Sequence, residues 1–333
     1  MADIARMAEV SVSTVSRALA GSHLVPAALQ TKIGYLAREH GYVIDRSAQR
    51  LRLQTTDTIG LIVLRGRGED QTFADPLILE ILGHLLNEAL SRGYDLLVSR
   101  IEEPGHNGLN ELISSHLCDG IVVIGQRDQH DALNQISSQY LPMVVWGERQ
   151  SDQTYCTIGI DNFMAGKIAA EFLMSMGHKC IRFLGSVDTP ETLSRYNGYV
   201  TALQTEPFAH SNLDMGLIAC GATHANAYAA MRNLLAENVP FDAILAASDV
   251  IANGAMRAFS DSGGKVPADC SFMGFDDIAM AQHLGPALTT VRQDLRVVAH
   301  VLVDSLLRRI AGELVPPQVL PAELVIRQST GAR

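Results

Sequence analysis

The amino-acid sequence predicts a small all-α head followed by a two-lobed α/β body. Near the N-terminus, short apolar-periodic segments have the spacing of helices. From Thr58 onward, buried-type strands alternate with helical segments, which is typical of parallel sheets. With 333 residues the chain is long enough for two or three domains. We divide it into a head at 1–44, a connecting segment at 45–57 and a body at 58–333.

The head begins with two short helices joined by a sharp corner. Ile4 and Ala8 fall on one helical face, and Val15 and Leu19 on another. Ser11 stands where the second helix should begin, and its hydroxyl is suited to accept from a free backbone N–H. A third helix is predicted at 26–40, since its apolar residues form one stripe and glycine follows it.

The second helix carries short polar side chains on its outer face. Small hydroxyls and a single arginine suit a helix that enters the major groove of DNA. An ordinary amphipathic helix pair at a chain end is the alternative that the residues alone would favour. The candidate DNA-contacting residues are Val12, Ser13, Thr14, Ser16 and Arg17.

Charge is distributed unevenly along the chain. Residues 1–52 have a net charge of about +3 and the remainder about −13, within a total of −10. A small cationic head on an acidic body is typical of a DNA reader attached to a sensor. Because +3 is a weak charge for one copy, we expect a homodimer on double-stranded DNA.

The body alternates strands and helices over its whole length. More strands are predicted than one sheet comfortably holds, so two α/β lobes follow. The predicted strands are 59–64, 95–99, 120–125, 143–146, 181–184, 217–220, 243–247 and 271–275, with a closing strand at 319–328. The predicted helices include 77–92, 165–176, 191–204, 225–237 and 251–262. Ligands of such sheets bind at the carboxyl ends of the strands, which places the expected site in the cleft between the lobes.

Residues 8–21, Ala-Glu-Val-Ser-Val-Ser-Thr-Val-Ser-Arg-Ala-Leu-Ala-Gly, resemble the signature of the lactose-repressor (LacI/GalR) family. Later motifs at 273–278 and 288–294 resemble the same family, so the likeness covers essentially the whole chain. It implies a bacterial transcriptional regulator with a helix-turn-helix head and a periplasmic-binding-protein-like body. It also implies that 45–53 is a hinge helix whose Leu51 wedges into the minor groove of an operator. From the residues alone, that segment reads as a solvated linker.

Polar residues that end strands are the candidates for holding a small effector. Carboxylate, guanidinium and amide groups around an aromatic platform suit a neutral mono- or disaccharide. The candidate residues are Phe73, Asp75, Trp146, Glu148, Arg195, Ser248, Asp276 and Gln293. Trp146 is either a stacking platform or a core residue. For Arg195 and Asp276 the family resemblance favours ligand contact.

Several of these positions have a structural alternative. Ser248, Asp249 and Asp277 are all suited to cap the next helix, and we favour that role for the two aspartates. Ser248 aligns where many relatives carry Asn, and residues 75–77 depart from the usual Asn-Pro-Phe-Phe segment of the family. The resemblance therefore does not define the wall of the cleft at residues 75–77.

No catalytic or cofactor motif is found in the sequence. It contains no Gly-x-Ser-x-Gly, His-Glu-x-x-His, phosphate loop or Cys-x-x-Cys. The five widely spaced cysteines read as reduced thiols rather than disulfides or metal ligands, and no signal peptide or membrane-spanning run begins the chain. We therefore expect a cytoplasmic binding protein with no cofactor and no membrane partner. The absence of a leucine heptad tail favours a dimer over a tetramer.

Two other function classes compete with the regulator. A sugar-binding protein of a transport system would share the two-lobed body but lack the head. An enzyme on an α/β scaffold would need a catalytic constellation that the sequence does not offer.

Overall fold

We describe a computed structural model of the chain. It describes residues 2–19, 22, 24–42, 55–64, 74–101, 117–127, 129–140, 142–204 and 216–333. The chain divides into two compact units, Met1–Thr56 and Asp57–Arg333. The proposed hinge residue Leu51 and the candidate effector residue Phe73 lie outside the described residues, as does most of the segment 45–57.

The head is built from three helices, α1 (Ala2–Ala8), α2 (Val12–Leu19) and α3 (Ala27–Glu39). The corner between α1 and α2 is sharp because Glu9 takes a left-handed φ of 59°. At the start of α2, the Ser11 hydroxyl accepts from the backbone N–H of Thr14 at 3.1 Å, as predicted. The three helices enclose one small core: Ile4, Ala5, Ala8, Val15, Ala18, Val25, Ile33 and Ala37.

The first lobe of the body is a six-stranded parallel sheet. Its strands are β1 (Thr58–Leu64), β2 (Asp95–Ile101), β3 (Gly120–Ile124), β4 (Met143–Trp146), β5 (Cys156–Ile160) and β11 (Gln318–Leu320), in the order β11-β5-β4-β3-β1-β2. The helices of this lobe are α4 (Pro76–Ser91), α5 (His130–Ser137) and α10 (Leu295–Ile310). Helices α4 and α10 share a core with β1, β3, β4 and β5.

The second lobe is a six-stranded mixed sheet in the order β12-β10-β9-β8-β6-β7. Its strands are β6 (Ile181–Leu184), β7 (Leu217–Ile218), β8 (Ala243–Ala246), β9 (Ser271–Asp276), β10 (Thr289–Arg292) and β12 (Glu323–Val325). Only β12 runs antiparallel to its neighbour among the described strands of this sheet. Its helices are α6 (Asn162–Ser175), α7 (Pro190–Leu203), α8 (His224–Ala236) and α9 (Asp249–Asp261).

The chain passes between the two lobes three times. It leaves the first sheet after β5, returns after β10 through Gln293, and crosses again between β11 and β12. The predicted closing strand at 319–328 is therefore wrong in one respect. It is two short strands in different sheets, because Pro321 lies between them and lacks the N–H that a continued ladder needs.

The cysteines are free thiols. Cys118, Cys156 and Cys270 are buried, and Cys180 and Cys220 are half-buried. Burial raises the pKa of the Cys220 thiol to about 11, which leaves it a weak nucleophile. Within the part of the chain that the structure describes, no helix is both long and apolar enough to cross a bilayer.

Candidate functional site

A cavity of about 210 Å³ lies in the body where the carboxyl ends of both sets of strands meet. This volume is several times that of a water molecule, so it has room for a small organic ligand. Five strands contribute their last residue to the lining, and they come from both lobes: Leu64, Ile124, Trp146, Ile160 and Asp276. Ala247 and Gln293, which directly follow β8 and β10, line the cavity as well. The cavity is therefore the interlobe cleft that the strand alternation predicts.

Arg195 is a buried and firmly anchored polar group of the cavity. It lies in α7, and only 7% of the residue is exposed. Its Nε donates to Asn162 Oδ1 and one terminal nitrogen donates to the Ala247 carbonyl, both at 2.8 Å. The guanidinium carbon lies 3.6 Å from the centroid of the Phe275 ring, within the range of a cation–π contact. The side chain is thus fixed before any ligand arrives.

Asp276 ends β9 opposite Arg195. Its Oδ1 accepts from Gln293 Nε2 at 2.7 Å and lies 3.9 Å from a terminal nitrogen of Arg195. Burial raises the pKa of Asp276 to about 7, although Arg195 and the Gln293 hydrogen bond act in the opposite direction. Asp75 and Glu80, from the opposite lobe, raise it further. Asp276 and Gln293 therefore form one hydrogen-bonded pair in the cavity wall.

Glu148 lies behind this wall rather than in it. Its two carboxylate oxygens accept from Asn162 Nδ2 at 2.5 Å and from the Ser194 hydroxyl at 3.3 Å. Burial is the largest cause that raises the pKa of Glu148. Asn162 in turn accepts from Arg195, so Glu148 acts on the cavity through Asn162.

Trp146 ends β4 and lines the cavity with 8% of its surface exposed. It also belongs to the core beneath the first sheet. The two alternatives for this residue are thus combined, because one indole both packs in the core and borders the cleft. Other apolar residues of the cavity lining are Val63, Leu77, Ile78, Val250 and Ile251.

The predicted helix caps at Asp249 and Asp277 are wrong. Ser248 is the residue that caps α9, since its hydroxyl accepts from the Ile251 N–H at 3.3 Å. Asp249 is fully buried in the first turn instead, where its carboxylate accepts from the Thr290 hydroxyl and from a backbone N–H. Burial next to Asp276 raises the pKa of Asp249 well above its ordinary value.

Asp277 is held by two arginines. Its carboxylate accepts from Arg292 at 2.7 Å and from Arg327 at 2.6 Å. Two guanidinium groups leave this carboxylate no role as a helix cap, and they anchor the end of β9 to β10 and the C-terminal segment.

Asp75 both caps helix α4 and lines the cavity. Its carboxylate accepts from the backbone N–H groups of Leu77 and Ile78, at 2.9 and 3.4 Å, and so caps α4. It also borders the cavity. Ser248 has the same double position on the second lobe.

Sequence reasoning missed several polar residues that line the cavity. They come from the turn after β3, from the segment between β6 and α7 and from the first turn of α7: Arg127, Ser186, Thr189, Glu191 and Thr192. The Thr189 and Thr192 hydroxyls form a capping box at the start of α7. The pattern Thr-Pro-Glu-Thr was a signal for the helix start, but a capping signal does not show that the helix points into a cleft.

Comparison with known proteins places the chain in a family. A model of bacterial regulatory proteins of the lacI family matches residues 1–45, and a model of periplasmic binding protein-like domains matches residues 170–330. The HTH-type transcriptional repressor CytR of Escherichia coli is 32% identical, over 100% of this chain and 96% of the relative. The chain belongs to the lacI family. The HTH-type transcriptional regulator CelR of Thermobifida fusca is 31% identical, over 98% and 96%.

Solved structures of lacI-family proteins have the same fold. The lac repressor dimer bound to operator and the anti-inducer ONPF gives a TM-score of 0.83 at 26% identity, covering 99% of this chain and 98% of that one. The complex of the regulator CelR with cellobiose gives a TM-score of 0.71 at 29% identity, covering 98% of both chains. The predicted all-α head and two-lobed α/β body are confirmed. This lacI-family chain is a ligand-responsive DNA-binding transcriptional regulator.

In this lacI-family head, α2 presents the predicted polar face to solvent. Val12 is 47% exposed, and Ser13 and Arg17 are exposed as well. Val15 and Ala18, on the opposite side of α2, are buried in the head core. Thr14 and Ser16 lie at the border between the two faces.

Proposed function

We propose that this chain represses a carbohydrate-utilisation operon. A mono- or disaccharide bound in the interlobe cavity would either weaken or strengthen its binding to the operator. The observation that carries the proposal is the polar group of Arg195, Asp276 and Gln293, in which Gln293 donates to Asp276 and a guanidinium nitrogen of Arg195 lies 3.9 Å from the same carboxylate oxygen. This group lines the same cavity as Trp146 and other apolar residues. Adjacent sugar hydroxyls are both donors and acceptors, and this group supplies both. The apolar wall suits the C–H faces of a sugar ring.

The effector residues divide by how they would act. Arg195, Asp276, Gln293 and Trp146 border the cavity and would touch the sugar, while Glu148 would position Asn162 and Arg195. Asp75 and Ser248, which also cap α4 and α9, border the cavity and would touch the sugar there. Phe73 keeps its proposed role from the family resemblance.

Relatives support a sugar as the ligand class. One structural neighbour at 29% identity is a complex of CelR with cellobiose. Which sugar this chain would select depends on the residues that line its own cavity.

DNA contact is assigned to the outer face of α2. Val12 and Ser13 would touch base edges, and Thr14, Ser16 and Arg17 would contact bases or phosphates. Leu51 would enter the minor groove from a hinge at 45–57, between a head at 1–44 and a body at 58–333. Residues 1–52 of one copy carry a net charge of only about +3, which favours weak binding, so a homodimer on a palindromic operator is proposed. Such a regulator works in the cytoplasm, by binding rather than by catalysis.

Regulation requires only that the sugar bind one arrangement of the lobes better than another. A coupling of about 1–3 kcal/mol changes operator affinity about 5- to 150-fold. The strands of each lobe pair within their own sheet, and the chain connects the two sheets at three crossings. The lobes could therefore change their relative arrangement while each sheet stays intact.

An electrophoretic mobility assay tests the DNA-binding half of the proposal. The full chain should retard DNA from the region upstream of its own operon at low salt, and unrelated DNA of equal length should compete poorly. No shift at low salt would contradict operator binding and favour a sugar-binding protein without gene control. A thermal-shift screen against a carbohydrate panel tests the other half, because a ligand of the folded state raises its melting temperature.

A further inference from the structure

Besides the bonds that Glu148 accepts from Asn162 and Ser194, a hydrogen bond between Glu80 and Ala279 joins the two lobes outside the cavity lining. Glu80, in α4 of the first lobe, accepts through Oε1 from the backbone N–H of Ala279 at 2.7 Å. Ala279 belongs to the second lobe, in the turn that follows β9. Among the described residues that line the cavity are Leu77 and Ile78, the helix neighbours of Glu80, but not Glu80 itself.

The turn that Glu80 holds is firmly fixed to its own lobe. Asp276 and Asp277 both take positive φ angles, 112° and 58°, which turn the chain sharply at the end of β9. The Ile278 N–H donates to the buried Asp249 carboxylate at 2.9 Å. Because the turn is held in this way, Ala279 should move together with Asp276 and the rest of the second lobe.

The other partner is equally fixed to the first lobe. Helix α4 buries Ile78, Ile81, Leu85 and Ala89 on its inner face, in the core of that lobe. The Glu80–Ala279 bond thus connects a helix packed in the first lobe to a turn bonded within the second. It is solvent-exposed, so water can replace either partner and the bond can open and close.

Glu80 is also linked electrostatically to the cavity. Its charge is one of the causes that raise the pKa of Asp276, together with burial and Asp75. The same carboxylate therefore acts on Asp276 both through the turn and through space.

We propose that Glu80 is a clasp between the lobes, and that its bond to Ala279 sets how far the cavity is closed before any ligand binds. Glu80 is a positioning residue for the effector site rather than a ligand contact. Any effect of Glu80 on gene control rests on the proposed function. Its effect on cavity closure is independent of that function and can be measured without DNA or effector.

Trp146 provides the readout, because it is the one tryptophan of the chain and lines the cavity. In the full-length ligand-free protein, Glu80→Ala should raise the acrylamide quenching constant of Trp146 about twofold, since loss of one such bond shifts a two-state equilibrium about fivefold. Hydrogen exchange at the Ala279 amide should become faster. Glu80→Gln should give intermediate values in both measurements, because its amide oxygen still accepts but carries no charge.

Glu88→Ala is the matched control. Glu88 lies two turns further along α4, and its carboxylate contacts Arg92 and His300 within the first lobe. Quenching and Ala279 exchange should stay at the wild-type values in this variant. The proposal is overturned if Glu80→Ala leaves both readouts unchanged, or if Glu88→Ala raises them equally. Circular dichroism melting confirms that each variant is folded, and Glu80→Gln carries the test should the alanine variant unfold.

Discussion

The Arg195 guanidinium lies over the Phe275 ring, with its central carbon 3.6 Å from the ring centroid. This contact joins α7 to β9 at the base of the interlobe cavity. The same guanidinium donates to Asn162 at the start of α6 and to the carbonyl of Ala247 at the end of β8. Four elements of the second lobe are therefore held together by one planar side chain.

Replacing Arg195 with Lys should weaken the folded body as well as the site. A lysine has one ammonium group and cannot reproduce the two fork-like donations and the stacking contact. We expect the free energy of unfolding in urea to fall by about 1–3 kcal/mol, and by about 3–5 kcal/mol for Arg195→Ala, which leaves Asp276 without its cation. Arg257→Lys, at an exposed ion pair, is the control and should change it little. Equal effects at the two positions would contradict the bridging role.

Stability should depend on pH through Asp276. The folded-state pKa is raised from the ordinary 3.8 to about 7 by burial, by Asp75 and by Glu80, against the pull of Arg195 and Gln293. The protonated acid is therefore favoured by folding, and its contribution is fully present below about pH 4 and is lost as pH rises through 7.

The measurement is the melting temperature of the wild type and of Asp276→Asn from about pH 4 to about pH 8. Asparagine tolerates the left-handed backbone at this position and does not titrate. The fall in melting temperature with rising pH should be shallower in the variant. The remaining slope is assigned to Asp249 and Glu148, whose pKa values are also raised by burial. A slope as steep as that of the wild type would refute the assignment to Asp276.

Two substitutions at Ser248 distinguish its role as a helix cap from its proposed contact with the sugar. Ser248→Ala should lower the free energy of unfolding by about 1 kcal/mol, because α9 loses its N-cap. Ser248→Asn should keep that stability, since asparagine caps as well as serine, while placing an amide beside the cavity. The sugar selectivity of Ser248→Asn in the carbohydrate panel should change. If both variants melt like the wild type, the cap contributes nothing measurable.

Arg17 should matter to DNA and to little else. Arg17→Ala removes the one exposed cation of α2, and we expect operator binding to weaken by about 1–3 kcal/mol with the melting temperature unchanged. Arg257→Ala in the body changes the net charge equally and is the control. A variant that still protects the operator as well as the wild type would show that α2 is not the reading helix.

Much of the fold could be predicted from the sequence, because the spacing of apolar residues depends only on the local segment of chain. The strand at 143–146 is predicted with its observed bounds, and helix α7 is predicted within one residue at each end. Helices α5 and α10 were not predicted. The closing segment was predicted as one strand although it divides between the two sheets, because its pairing depends on distant neighbours.

The candidate site was less readable than the fold. Strand ends give Trp146 and Asp276 directly, since ligands bind where parallel strands end, and Gln293 was proposed from its place on the crossover between the lobes. Which carboxylate caps a helix, however, depends on its partners in space. Asp249 bonds to Thr290, 41 residues away in sequence, and Glu80 bonds to Ala279, 199 residues away. Spacing in the sequence carries no signal for either contact.

The central claim is that a sugar in the interlobe cavity controls DNA binding by the head. Fluorescence anisotropy of labelled upstream DNA, titrated with the full-length dimer, measures this directly. The titration is run with and without a saturating sugar that raises the melting temperature. In the wild type we expect the sugar to change the dissociation constant for DNA about 5- to 150-fold, in either direction. In Arg195→Ala the same sugar concentration should leave the dissociation constant unchanged. A stabilising sugar that leaves the wild-type dissociation constant unaltered would contradict the account.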